Sequence, residues 1–166
     1  MAATMSVLMV LAFRQTSYWR DGETLWTHTI DCTATNALAE NNLGIALGRQ
    51  GQLDEAQRHF QRAIDVDPDY VKAYANLGVA YAKQGQIDAA IRELSHALRL
   101  DPRDAVEHYN LATLLAQQGH LDDARFHFQQ ALKYRPRYPE AQAGLETTLL
   151  RLGRPAEPPG GESPTQ

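Results

Sequence analysis

One interval governs this chain. Asn-Leu-Gly occurs at 42–44 and again at 76–78, and Asn-Leu-Ala at 110–112, which sets a register of 34 residues. Gly51, Gly85 and Gly119 keep it, as do Asp54, Asp88 and Asp122, then Ala56, Ala90 and Ala124. Ala63, Ala97 and Ala131 follow, and Pro68, Pro102 and Pro136 close each unit. A chain that copies itself at this interval is built from small units, each burying its apolar face against its neighbours.

Each unit reads as two helices. Residues 37–50, 71–84 and 105–118 form a first helix of about 14 residues, ~21 Å long. In the first unit Ala39, Leu43, Ala46 and Leu47 fall at helical spacing and make an apolar stripe. Gly51, Gly85 and Gly119 end these helices, because glycine accepts the left-handed conformation that helix ends favour. Asp54, Asp88 and Asp122 start the second helices, where a carboxylate can accept from free backbone N–H groups and meets the positive end of the dipole. Phe60, Leu94 and Phe128 pack the second helix on the first. The three prolines stop it, since proline cannot continue the helical ladder. Gly44, Gly78 and Ala112 are expected to face Ala56, Ala90 and Ala124, and large side chains there would force the helices apart.

This pattern resembles the tetratricopeptide-repeat family. The resemblance implies an all-α fold, a right-handed superhelical stack of antiparallel helix pairs. Residues 37–70, 71–104 and 105–138 are three full repeats. The large residue that the family carries near the start of the first helix is Glu40, Tyr74 and His108 here, so the first repeat departs from the pattern. Residues 20–36 read as a degenerate half-repeat, in which Trp26 aligns with Phe60 and Ile30 with Ile64. Residues 139–153 read as a capping helix with Ala141, Leu145 and Leu149 apolar and Glu146 in the Gly/Ala slot. Residues 154–166, rich in proline and glycine, cannot bury apolar surface and are expected to be disordered.

The beginning is different in kind. Residues 1–19 form an apolar segment and junction, and residues 1–13 carry no charge. That run is shorter than the ~20 apolar residues a membrane helix needs, and no basic start or cleavage site marks a signal peptide. It is either the end of a truncated membrane helix or an apolar segment packed on the first repeat. The stretch Arg14-Gln15 through Tyr18-Trp19-Arg20-Asp21 and Glu23-Thr24-Leu25-Trp26 resembles the junction of multi-pass membrane glycosyltransferase-like proteins that end in tetratricopeptide repeats. That resemblance implies a detached or truncated accessory domain, with the repeats outside the cytoplasm and membrane contact through residues 1–13.

Signals for chemistry are missing. There is no nucleotide loop, nucleophile elbow or Cys/His metal spacing, so no enzyme, metal or cofactor is expected. The charge of -4 is mixed in sign and gives no mark of nucleic-acid binding. The lone cysteine, Cys32, reads as a small apolar filler. Trp19 and Trp26 share a helical face and read as core. His59 and His127 occupy the same repeat position, and no two histidines stand four apart on one helix. Packing or surface roles explain them.

What remains is a groove. In stacks of this family the first helices line the concave side, so the resemblance assigns Leu38, Asn41, Asn42, Ile45 and Arg49 to it. Lys72, Ala75, Asn76, Val79 and Lys83 follow in the second repeat, and Val106, Tyr109, Asn110, Thr113 and Gln117 in the third. A carboxylate clamp of lysine, arginine and asparagine, as some repeats of this family carry, would have its first-repeat pair at Asn41 and Ile45 and its third-repeat pair at Val106 and Asn110, and its basic residues are missing. Asn42, Asn76 and Asn110 instead resemble the asparagine ladder in the repeats of O-linked N-acetylglucosamine transferase. The competing explanation is that asparagine is simply usual at this position. With Arg49, Lys72 and Lys83 in the groove and no carboxylate, the expected partner is an extended, neutral to acidic protein segment.

Overall fold

The computed structural model describes residues 22–32 and 36–153, and these are helical with short connections. In chain order the helices are α1 (Gly22–Cys32), α2 (Ala37–Arg49), α3 (Leu53–Val66), α4 (Val71–Lys83), α5 (Ile87–Leu100), α6 (Ala105–Gln118), α7 (Leu121–Tyr134) and α8 (Pro139–Arg151). The chain forms two compact units, divided within α5 between Glu93 and Leu94. No strand occurs among the described residues. None of their helices is long and apolar enough to cross a membrane. The apolar run 1–13, most of the junction and the tail 154–166 lie outside the described residues.

The turns follow the glycines. Gly51, Gly85 and Gly119 have φ of +83°, +76° and +87°, a region open to glycine at little cost. The N-termini depart from expectation. Asp54 and Asp122 are not caps: the N-cap positions of α3 and α7 are Gln52 and His120, without a side-chain cap bond. Asp54 instead accepts from Gln84 Nε2 at 2.6 Å, and Asp122 pairs with Arg125 at 3.6 Å. Lying one residue inside the helix, they retain only their dipole role. Side-chain caps are found on the first helices α2 and α6, whereas α4 begins after Tyr70 without one. Asn36 Oδ1 accepts from Leu38 N at 3.0 Å and Ala39 N at 3.2 Å. Asp104 Oδ1 accepts from Val106 N at 2.8 Å and Glu107 N at 3.3 Å.

In the first unit Leu43, Leu47, Ala56, Phe60, Ala73 and Leu77 are buried. Gly44 meets Phe60 as much as Ala56: a Cβ there would lie 2.6 Å from the Phe60 ring and 3.1 Å from the Ala56 carbonyl. In the second unit the buried cluster is Ala112, Ala124, Phe128, Ala131, Tyr138 and Ala141. Here the ring leans the other way. A Cβ on Gly144 would lie 2.5 Å from Phe128, so the aromatic side chain settles against the following helix, and Ala112 stands where the first repeat needs Gly44. Glu146, in the formal Gly/Ala slot, is exposed.

The first-repeat departure at Glu40 is compensated across the helix pair. His59 Nδ1 lies 2.6 Å from the buried Glu40 carboxylate. At the same positions in the third repeat, buried His108 sets Nδ1 2.9 Å from Nδ1 of His127 and directs Nε2 to the Pro102 carbonyl at 3.1 Å. That carbonyl fixes the proton of His108 on Nε2, so His127 donates and His108 accepts. Burial holds both imidazoles below their usual pKa, with His127 down to about 4.

Candidate peptide-binding clefts

Among the described residues a cleft opens beside the first helices in each unit. In the first, the short side chains of Gly48 and Ala80 leave a space of about 200 Å³ between α2, α3 and α4. Its apolar lining is Ile45, Leu53, Phe60, Val79 and Ala80, with Asn76, Arg49 and Lys83 beside them. Five residues assigned to the groove from sequence therefore come together: Ile45, Arg49, Asn76, Val79 and Lys83. No carboxylate lines this cleft.

Gly48 has a meaning that the repeat pattern does not disclose. Unlike Gly44, it is not needed for close packing, since a Cβ there would find the Ala56 methyl at an ordinary 3.7 Å. Ala82 and Ala116 hold the equivalent positions. Glycine costs helix stability relative to alanine, and what it leaves at this place is cleft volume.

Asn41 does not belong to the accessible groove. It is 2% exposed, and its Oδ1 accepts from Asn76 Nδ2 at 2.9 Å. The i, i+3, i+4 stripe drawn from the sequence runs along the edge of the helix interface, and at this position packing against α4 closes it. Ala75 is buried as well, whereas Leu38, Lys72 and Val106 are exposed and line neither cleft. Asn42 is half-buried. Asn76 has spent one N–H and keeps its amide oxygen and second N–H.

In the second unit a cleft of about 350 Å³ lies between α6 and α8. Tyr109, Thr113 and Gln117 line it as assigned, joined by Thr147, Arg151 and Glu140. Arg151 Nη1 donates to the Ala116 carbonyl at 2.7 Å, which ties α8 to α6. The expectation of a groove without carboxylates fails here, because α8 brings in Glu140. Asn110 Nδ2 donates to Glu107 Oε2 at 3.1 Å. Burial raises the Glu107 pKa, and the Asn110 amide works against that shift. The described residues contain no group of three or more His, Cys, Asp or Glu side chains placed to hold a metal ion.

Residues 49–115 and 105–138 each match a tetratricopeptide-repeat family model. The chain carries tetratricopeptide repeats, arranged as a helical solenoid architecture. Similar solved structures include MamA, 20% identical with TM-score 0.72 over 77% of this chain and 75% of that one. YrrB, a TPR protein with an unusual peptide-binding site, is 22% identical with TM-score 0.73 over 77% of this chain and 66% of that one. The first TPR of Spaghetti (RPAP3), bound to the HSP90 peptide SRMEEVD, is 21% identical with TM-score 0.70 over 73% of this chain and 96% of that one. A search of curated proteins finds no match for this sequence.

Proposed function

We propose that the chain is a protein-interaction module that takes an extended segment of a partner protein along its first helices, with the cleft of the first unit as the anchor. The observation that carries this reading is the composition of that cleft: an apolar floor of about 200 Å³, flanked by Arg49 and Lys83 with no carboxylate in its lining. Such a site takes one aliphatic or methionine-sized side chain on Ile45, Leu53 and Val79, with acidic residues next to it. Asn76 retains an acceptor and a donor for the peptide backbone. YrrB, with its peptide-binding site, and the Spaghetti repeat, with its HSP90 peptide, lend the reading support.

Titration of fluorescent peptides tests it. A peptide with a leucine or methionine flanked by glutamates should bind, a lysine-flanked peptide should bind at least ~tenfold more weakly, and added salt should weaken the acidic peptide. Gly48→Leu should block the cleft without a clash in the core. Lys83→Glu should remove the preference for acid. Equal binding of both peptides by all three proteins would remove the cleft from the account.

A further inference from the structure

The turns that join one repeat to the next carry opposite charge at the two ends of the repeat array. The first reads Asp65-Val66-Asp67-Pro68-Asp69-Tyr70 and the third Lys133-Tyr134-Arg135-Pro136-Arg137-Tyr138, in the same 34-residue register. Three acids are thus replaced, position for position, by three bases around a shared proline and tyrosine. The middle turn, Arg99-Leu100-Asp101-Pro102-Arg103-Asp104, is mixed. Residues 65–69 and 133–137 are exposed throughout.

The backbones entering the two turns match. Asp67 N donates to the Ala63 carbonyl at 2.9 Å and Arg135 N to the Ala131 carbonyl at 2.9 Å. Asp67 has φ −137° and ψ 94°, and Arg135 has φ −135° and ψ 85°. Beyond that entry the first turn closes with Tyr70 N on the Asp67 carbonyl at 3.1 Å, so what the two turns share is the entering backbone, and what complements is their charge.

Local structure does not ask for the bases. At the first two turns the aspartate closes the loop: Asp67 Oδ1 accepts from Asp69 N, and Asp101 Oδ1 from Arg103 N, each at 3.1 Å. Arg135 cannot accept that bond. Its guanidinium lies over the Tyr138 ring at 4.5 Å instead, and Lys133 Nζ is 5.5 Å from the Tyr134 ring centre. Both cations keep their charge toward solvent while the rings restrict their stems. No carboxylate pairs with Lys133, Arg135 or Arg137 among the described residues. Arg62 and Lys72 beside the acidic turn and Glu140 beside the basic one reduce the contrast without reversing it.

We propose that these turns are a self-recognition device: the Asp65–Asp69 turn of one copy docks on the Lys133–Arg137 turn of a second copy. Exposed pairs are individually weak, so the association is reversible, favoured by local concentration and sensitive to salt. It uses no residue of either cleft and stands independently of the peptide-binding reading.

Charge exchange on the full chain tests it. Asp65→Lys with Asp69→Lys gives a protein with two basic turns and leaves Asp67 to close its loop. Lys133→Glu with Arg137→Glu gives one with two acidic turns and leaves Arg135 on Tyr138. Circular dichroism melts check that both fold. Sedimentation velocity at high protein concentration should show wild-type self-association at least ~tenfold weaker in about 0.5 M than in about 0.05 M salt. Each exchanged protein alone should lose this salt-sensitive component, and an equimolar mixture should regain it. Self-association of either exchanged protein at the wild-type level, or a mixture that stays dissociated, overturns the proposal. So does a wild type with no salt-sensitive association, including one whose basic turn binds only anionic vesicles or acidic polypeptides.

Discussion

Asn76→Ala separates a groove residue from a structural one. Asn76 Nδ2 reaches Asn41 Oδ1 at 2.9 Å, and Asn41 is 2% exposed. Removing the donor takes from the buried Asn41 amide oxygen its one protein partner, a loss of about 1–3 kcal/mol. Alanine returns ~0.7 kcal/mol of helix propensity, so the net loss is about 0.3–2.3 kcal/mol. In a domain of this size that lowers Tm by roughly 1–10 °C. Asn110→Ala breaks only a half-buried bond to Glu107 three residues away and should stay within ~0.5 kcal/mol. The decisive assay is a double-mutant cycle on thermal or urea melts. Asn41→Leu removes the buried amide, so adding Asn76→Ala to it should cost at least ~0.5 kcal/mol less than Asn76→Ala alone. If the cycle is additive within error and Asn76→Ala melts with the wild type, the asparagine pair holds nothing and Asn76 is free for ligand.

Two further measurements follow. Gly48→Ala should raise stability by about 0.5–1 kcal/mol because its Cβ has ordinary contacts and alanine favours the helix. Gly44→Ala should lower it, because its Cβ would stand 2.6 Å from the buried Phe60 ring; melts that move together would refute this distinction. Stability should also fall on acidification: His127 has a folded pKa of about 4, so the unfolded chain takes up the proton first. The contribution is complete above about pH 6.5 and is lost as pH falls toward 4, about 1–2 kcal/mol after discounting for partial exposure. His127→Phe should flatten that part of the pH profile, and an unchanged slope would place the titration elsewhere.

Much of the architecture is legible without coordinates because its causes are local. The left-handed φ at Gly51, Gly85 and Gly119, the helix stops before Pro68, Pro102 and Pro136 and the burial of Leu43, Leu77 and Leu111 follow from residue type at a repeated place. The same logic puts Ile45, Arg49, Asn76, Val79 and Lys83 on one stripe, and the structure brings these five to one cleft. Local logic misplaces the caps, because Asp54 and Gln52 differ by two residues in a turn whose geometry is set by both helices. It also admits Asn41 to the groove, because a residue at the edge of a stripe is opened or closed by its neighbour, here Asn76 of the next repeat.

The remaining features depend on contacts between residues distant in sequence. The partnership of His108 with His127 spans 19 residues, and no helical period brings them together. The tilt of Phe128 toward Gly144, where Phe60 leans on Gly44, turns on which neighbouring helix offers the space. Sequence alone established the repeat, its helices, its turns and the residue types on the first-helix stripe, because backbone preference and periodicity act within one unit. Only tertiary packing decided which of those polar groups stay accessible, because burial belongs to pairs of helices and not to either helix alone.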